Sequence, residues 1–258
     1  MKPFASFIIG YHSARSDNLL QTLRFLLRES ICKYSEIIIV CQDSPGEYEE
    51  RIFDLIPVFK YLQFYSMELS CMQLPFVSNF GVDRSNSDRI ILLESDRILP
   101  LGYFAKAIPQ IEPGKCVTCT NMLKLTQTVS DSDIYHQNFL FNPEHRDLTM
   151  KKTGMRNVWS GNTGFWKEDF YKAGKMDEAY KGYGWADTDM TRTMQSIGVE
   201  TIWREEVELH LWHPPATYGE GDQKQMFIDN GLYFCKKWDV PVPDWLQEEI
   251  VQQGKIFL

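Results

Sequence analysis

Ile91-Leu92-Leu93-Glu94-Ser95-Asp96-Arg97-Ile98-Leu99-Pro100 is an apolar run that ends in two carboxylates one residue apart. Side chains alternate along a strand, so positions i and i+2 face the same side. On that reading Glu94 and Asp96 converge on one hard divalent cation at the carboxyl end of the strand. In an open α/β sheet that edge is where ligands bind. Two solvated acids on a surface turn are the ordinary explanation of an isolated Glu-x-Asp. Two later segments decide for the metal: Trp159-Ser160-Gly161-Asn162-Thr163-Gly164-Phe165, which leads through Asp177-Glu178 to Gly182-Tyr183-Gly184-Trp185-Ala186-Asp187-Thr188-Asp189 and a helix near Met190, and then His210-Leu211-Trp212-His213-Pro214.

The chain before this run alternates between strand and helix patterns. Phe4 to Gly10 is an apolar strand, and Asp17-Asn18 caps a helix with Leu19, Leu20, Leu23, Leu26 and Leu27 at helical spacing. Glu36 to Cys41 is a β-branched strand closed by the turn-forming Gln42-Asp43-Ser44-Pro45-Gly46. A helix with Tyr48, Ile52 and Leu55 follows, then a strand at Tyr61 to Tyr65, a helical segment around Asn79 to Ser85, and the Arg89 to Glu94 strand. This order implies an α/β fold with a mostly parallel central sheet, right-handed crossovers and flanking helices, a nucleotide-binding architecture. Val117 to Leu123 reads as a further strand. The polar stretch from Thr126 to Arg156 has no amphipathic period, and a loop of that length is uncommon unless functional, so it is assigned to acceptor binding or a lid. Helices return after His213, through Met226, Phe227, Leu232 and Phe234, and again at Trp245 to Gln252. That tail packs over the sheet or mediates self-association.

Composition excludes several classes. The 258 residues, 43% of them hydrophobic, suffice for one large domain with a packed core. A net charge of −8 argues against a nucleic-acid partner, which requires clustered Lys and Arg; Lys151-Lys152 and Lys236-Lys237 read as solvated surface. No apolar run reaches the roughly 18 residues of a membrane span, and Met1-Lys2-Pro3-Phe4 does not open a signal peptide. A cytoplasmic location follows, with peripheral association at the inner membrane face left open. Cys116 and Cys119 form one C-x-x-C without the second pair of a zinc site, so the six cysteines read as reduced, mostly buried thiols.

Acid pair, glycine-flanked acids and paired histidines, in this order, resemble the GT-A glycosyltransferases, specifically family 2 enzymes whose second half looks like the galactosyltransferase carboxyl-terminal segment. The resemblance covers residues 4 to 215, which it marks as a single catalytic domain, residues 1–100 being the nucleotide-binding half and 101–215 the acceptor half; residues 216–258 form a helical extension. It places Tyr11 beside the donor base, with His12 where the family has Asn, and Asp43 or Gln42 on uracil or ribose. Asn79-Phe80-Gly81 resembles an element near the nucleotide and equally a helix cap and turn. Glu94-Ser95-Asp96 occupies the Asp-x-Asp position, which implies that Asp96 contacts the metal and Glu94 engages ribose or metal-bound water. His210 and His213 match a residue-x-x-His element that supplies further ligands. Imidazole beside carboxylate favours Mn²⁺ over Mg²⁺.

Gly182 to Asp187 resembles Gly-x-Gly-x-Glu-Asp, so Asp187 matches the catalytic base, whereas Ala186 replaces the Glu associated with acceptor binding. Trp159, Asn162, Trp185 and Asp189 are the acceptor-side candidates; the aromatic residues read equally as core, and Asp189 equally as a structural acid at a helix start. The resemblance implies transfer of a hexose or hexosamine from a nucleotide sugar, UDP-linked, to a hydroxyl of a glycan or glycolipid, with inversion. A retaining enzyme and a catalytically silent nucleotide-sugar or glycan-binding module stay open as alternatives, as does a homo-oligomer. A nucleotidyltransferase leaves Asp187 and His213 without a role.

Overall fold

The computed structural model describes residues 2–44, 46, 48–54, 61–135, 146–148, 161–214 and 223–252. Strands β1 (Ser6–Tyr11) and β2 (Glu36–Cys41) are runs of Ile, Val and Phe buried on both faces, as strands covered by helices on both sides must be. Period-two alternation divides them between two cores. Phe7, Ile9, Ile37 and Ile39 pack with Leu19, Leu20, Leu23 and Leu26 of α1 (Ser16–Leu26), while Ile8, Ile38 and Val40 pack with Val77 and Val82 of the helix on the other face. The α1 cap differs from expectation. The helix opens at Ser16 with Arg15 in the cap position and no side-chain cap, and Asp17 falls in its first turn.

Helix α2 (Tyr48–Phe53), strand β3 (Leu62–Ser66), helix α3 (Leu74–Arg84) and strand β4 (Arg89–Leu93) complete the expected alternation. Pro75 starts α3 early, a position where its missing N–H costs nothing. Then come β5 (Arg97–Ile98), α4 (Tyr103–Ala107), β6 (Lys115–Leu125), α5 (Asp131–Tyr135), β7 (Arg146–Leu148), β8 (Asn162–Trp166), α6 (Lys167–Lys172), α7 (Ala186–Ser196), β9 (Glu200–His210), α8 (Gln223–Trp238) and α9 (Asp244–Gln252). Among the described residues one nine-stranded sheet runs β3-β2-β1-β4-β8-β6-β9-β5, with β7 on β6. Strands β1, β2, β3, β4, β6 and β9 share one direction and β5, β7 and β8 oppose it, so the sheet is mixed but mostly parallel.

Two features correct the sequence reading. Strand β4 ends at Leu93, the chain turns through Ser95 and Asp96, and Arg97 starts β5 against β9. Glu94 and Asp96 therefore do not share a strand face. Strand β9, rich in Glu and Arg, alternates apolar and polar residues only at its end, where Val207 and Leu209 flank Glu208; long parallel pairing with β6 defines the rest. Within the presumed loop of residues 126–156, α5 and β7 are regular elements, while residues 136–145 and 149–156, among them Lys151-Lys152, lie outside the described residues, as does Trp159. No helix among the described residues is long and apolar enough to cross a membrane.

Candidate active site

The carboxyl ends of β1 and β2, the β4–β5 turn, the start of α7 and the end of β9 enclose a cavity of about 430 Å³. Its lining draws Tyr11, His12 and Arg15 from the end of β1 onward, Gln42 from beyond β2, Glu94 and Arg97 from the turn and the start of β5, Tyr183 from before α7 and Asp187 from its first turn, His210 from the end of β9 and His213 from just beyond it. This is the sheet edge where an α/β fold presents ligands.

Asp96 is fully buried. Antiparallel pairing sets Arg97 opposite His210, and the Leu211 N–H donates to the Asp96 carbonyl at 2.8 Å, which brings both histidines alongside the acid. Asp96 Oδ2 lies 3.3 Å from His213 Nε2 and 3.9 Å from His210 Nε2, and it accepts a 2.6 Å hydrogen bond from Arg15 Nη1. Burial alone would raise the Asp96 pKa; His213 and the charges of Arg97, His210 and Arg15 outweigh it and hold the carboxyl well below the usual range. Burial, aided by Arg97, pushes His210 down to about 4, so its ring is neutral at pH 7.

Chemistry of the donor set tests whether a metal fits. His213 Nδ1 lies 2.8 Å from the Pro214 carbonyl, which can only accept, so Nδ1 is the donor in that contact and Nε2 is the nitrogen that faces Asp96. His213 Nε2 and His210 Nδ1 are enclosed and make no hydrogen bond among the described residues. At 3.3 Å from the Asp96 carboxylate, Nε2 shares with it either a proton or a cation. Asp96, His210 and His213 offer one ligand atom each within 4.8 Å of one another, and the Nδ1–H to carbonyl contact is the kind of outer contact that orients a ligating imidazole. The residues fit a divalent cation.

Glu94 lines the same cavity but is not part of that triad. Arg97, 5% exposed, donates to Glu94 Oε2 through Nη2 at 2.5 Å and Nε at 2.7 Å, and approaches Glu208 at 3.6 Å. The expectation that Glu94 and Asp96 converge on one ion is thereby corrected: a buried guanidinium claims Glu94. Asp187 stands in the first turn of α7. Its Oδ1 is enclosed without a hydrogen bond among the described residues, and burial, reinforced by the charge of Glu94 and opposed by Arg97, pushes the carboxyl up to about 7.

The remaining sequence candidates divide. Tyr11 and Gln42 line the cavity, as does His12, which pairs with Asp43 at 3.3 Å. Asp43 itself is consumed locally, accepting from the Ser13 N–H (2.9 Å) and the Ser13 hydroxyl. Asn79 is buried away from the lining and clips α3 to the following half through Met176 and Glu178. Asn162 is buried between Tyr103 and Glu208. Trp185 packs among Phe227, Phe234 and Trp245, while its neighbour Tyr183, 63% exposed, faces the cavity. Asp189 is buried and accepts from Trp238 Nε1 (2.7 Å) and Lys237 (2.8 Å), which ties α7 to α8, in keeping with the structural reading of this acid. Sequence reasoning missed Arg15, Arg97 and Lys124, which line the cavity, and the buried Glu208; an Arg directly after the acid pair was the available signal.

No family model matches the sequence, and no curated protein does. Solved structures do match. GalNAc-T7 with UDP, GalNAc and Mn²⁺ aligns over 99% of this chain and 55% of its own, with a TM-score of 0.65 and 11% identity. Mannosyltransferase PcManGT from Pyrobaculum calidifontis, in complex with GDP-Man and Mn²⁺, aligns over 94% and 66% at a TM-score of 0.62 and 12% identity. TarS from S. aureus aligns over 92% and 39% at 0.59 and 11%. The chain thus spans about half to two thirds of the first two structures it matches. At these identities the likeness shows the fold alone, which is a GT-A fold.

Proposed function

We propose that the chain is a metal-dependent glycosyltransferase that moves a hexose or hexosamine from a nucleotide sugar, UDP-linked, to a hydroxyl of a glycan or glycolipid, with inversion. One observation carries the reading: a single cavity is lined by His210 and His213, which have the buried Asp96 beside them, and by Asp187, a carboxylate poised near neutrality. Similar folds with nucleotide, sugar and Mn²⁺ support it.

Asp96, His210 and His213 would hold Mn²⁺, since a carboxylate with two imidazoles suits it better than Ca²⁺ or Mg²⁺. When bound, the cation offsets the charge of the departing diphosphate. Arg15, Arg97 and Lys124 add positive charge to the cavity of a protein whose net charge is −8, as an anionic donor requires. Tyr11, His12 and Gln42 supply an aromatic ring and polar groups for the base and ribose. Asp187 takes the proton of the acceptor hydroxyl as that oxygen bonds the anomeric carbon and the bond to the diphosphate breaks. A carboxylate with a pKa near the working pH combines an available lone pair with useful basicity. Residues 1–215 form the catalytic domain and 216–258 its helical extension; cytoplasmic location with peripheral membrane contact belongs to the same proposal and is tested by cell fractionation.

A screen of UDP- and GDP-sugars for Mn²⁺-dependent hydrolysis and transfer, with NMR of the product anomer, tests the whole. Turnover of a UDP-sugar with an inverted product is expected. Nucleotide binding without turnover of any donor would leave a binding module, and a product that keeps the donor configuration would make the enzyme retaining.

A further inference from the structure

Asp187 follows a turn that does not hold its own shape. Gly182 (φ 67°), Gly184 (φ 87°) and Trp185 (φ 71°) all take the left-handed region, which a bulky Trp adopts only when its surroundings over-determine it. Those surroundings come from α8, in the part of the chain that sequence reading set outside the catalytic domain. Asn230, 6% exposed, accepts from the Lys181 N–H at 3.2 Å and donates to the carbonyls of Lys181 (2.7 Å), Tyr183 (3.2 Å) and Gly184 (3.3 Å). Beside it, Gly231 leaves room for the Trp185 ring, where an added Cβ would lie 2.9 Å from Trp185 Cε2. Met226 and Phe227 press on the bare faces of Gly182 and Gly184, and Trp245 stacks on Trp185 at 5.8 Å. Trp185 is in turn the cap residue of α7, two positions before Asp187.

We propose that Asn230 is a positioning residue for the transfer reaction: its amide pins the Lys181–Trp185 turn in its left-handed form and so aims Asp187 into the cavity. The inference rests on the reading of Asp187 as base. It makes α8 a working part of the active site, and it separates Asn230 from a residue that merely attaches a helix, because a misaimed Asp187 changes both its titration and its use.

The test compares the parent with Asn230→Ala, and with Asn230→Ser, which keeps one donor, should the alanine variant not fold. Calorimetric binding of UDP with Mn²⁺ monitors the opposite side of the cavity. ¹³C NMR of labelled aspartates, with Asp187→Asn giving the assignment, follows the Asp187 carboxyl, and turnover of the donor sugar gives kcat and KM. UDP affinity and donor KM should be unchanged, the Asp187 titration should move from about 7 toward the ordinary carboxylate range, and kcat should fall by about 10- to 10²-fold. An unaltered Asp187 titration together with an unaltered kcat would overturn the proposal. Full turnover in Asp187→Asn would instead remove the base reading itself, whatever Asn230 variants do.

Discussion

Asp187, which lines the cavity, and Asp96, buried beside the cavity's two histidines, are the same chemical group, and their environments drive them in opposite directions. Asp96 faces Arg15, Arg97 and two imidazoles, and its proton is expelled. Asp187 faces enclosing protein and the negative Glu94, and its proton is held up to about 7. Burial raises both, wholly enclosing Asp96 and leaving Asp187 half-buried, and neighbouring charge then drives them apart. The difference assigns roles: a permanently ionised acid suits a cation, and an acid titrating near neutrality suits proton transfer. Arg97 mediates between the two, since it neutralises Glu94 while adding to the positive field on Asp96.

Asp96→Asn should do the most damage on the cation side. It is expected to abolish Mn²⁺-dependent UDP binding in calorimetry while circular dichroism stays native; persistence of metal-dependent binding would break the comparison at its first member. Asp187→Asn should leave that binding intact and lower turnover by about 10²- to 10⁴-fold. Loss of metal binding in this variant would show that the two acids do not divide the work as described.

Turnover of the parent should rise with pH through about 7 as Asp187 loses its proton, and a rate already flat from pH 5 upward would place the working base elsewhere. The smallest effect is on stability. The folded protein holds the Asp187 proton more tightly than the unfolded chain, whose group titrates near 3.8, so this stability is full below that pH and is lost as pH rises through about 7. Asp187→Asn should therefore melt a few degrees above the parent at pH 8 in metal-free buffer, with the gap closing toward pH 4. Asp96 runs the other way: its folded pKa is depressed, so its contribution stands above the unfolded value and is lost as pH falls toward the folded one.

Much of the amino-terminal half was legible because its signals are local. Ile37 to Cys41 and Leu19 to Leu26 state their periods within single elements, and β1 to β4 follow at the expected places. The acids and histidines were legible as types and spacings. Strand β9 was not, since its alternation is confined to Val207 and Leu209 at its end and most of its length exists by pairing with β6. Asn162, Asp189 and Trp185 were drawn toward the acceptor by their motif, yet hydrogen bonds and packing with distant residues bury the first two and enclose the third.

By itself the sequence determined an alternating α/β chain with a mostly parallel sheet, an acid at a sheet edge, a glycine-framed acid and a pair of histidines, because periodicity, turn chemistry and ligand type are written in neighbouring residues. Tertiary structure alone decided that β5 turns away from β4 to meet β9, so that Asp96 faces His210 and His213 while Arg97 takes Glu94. It alone set α8 against the turn that carries Asp187. Those outcomes depend on which remote groups share a low-dielectric space, where the position of one charge changes the proton affinity of another.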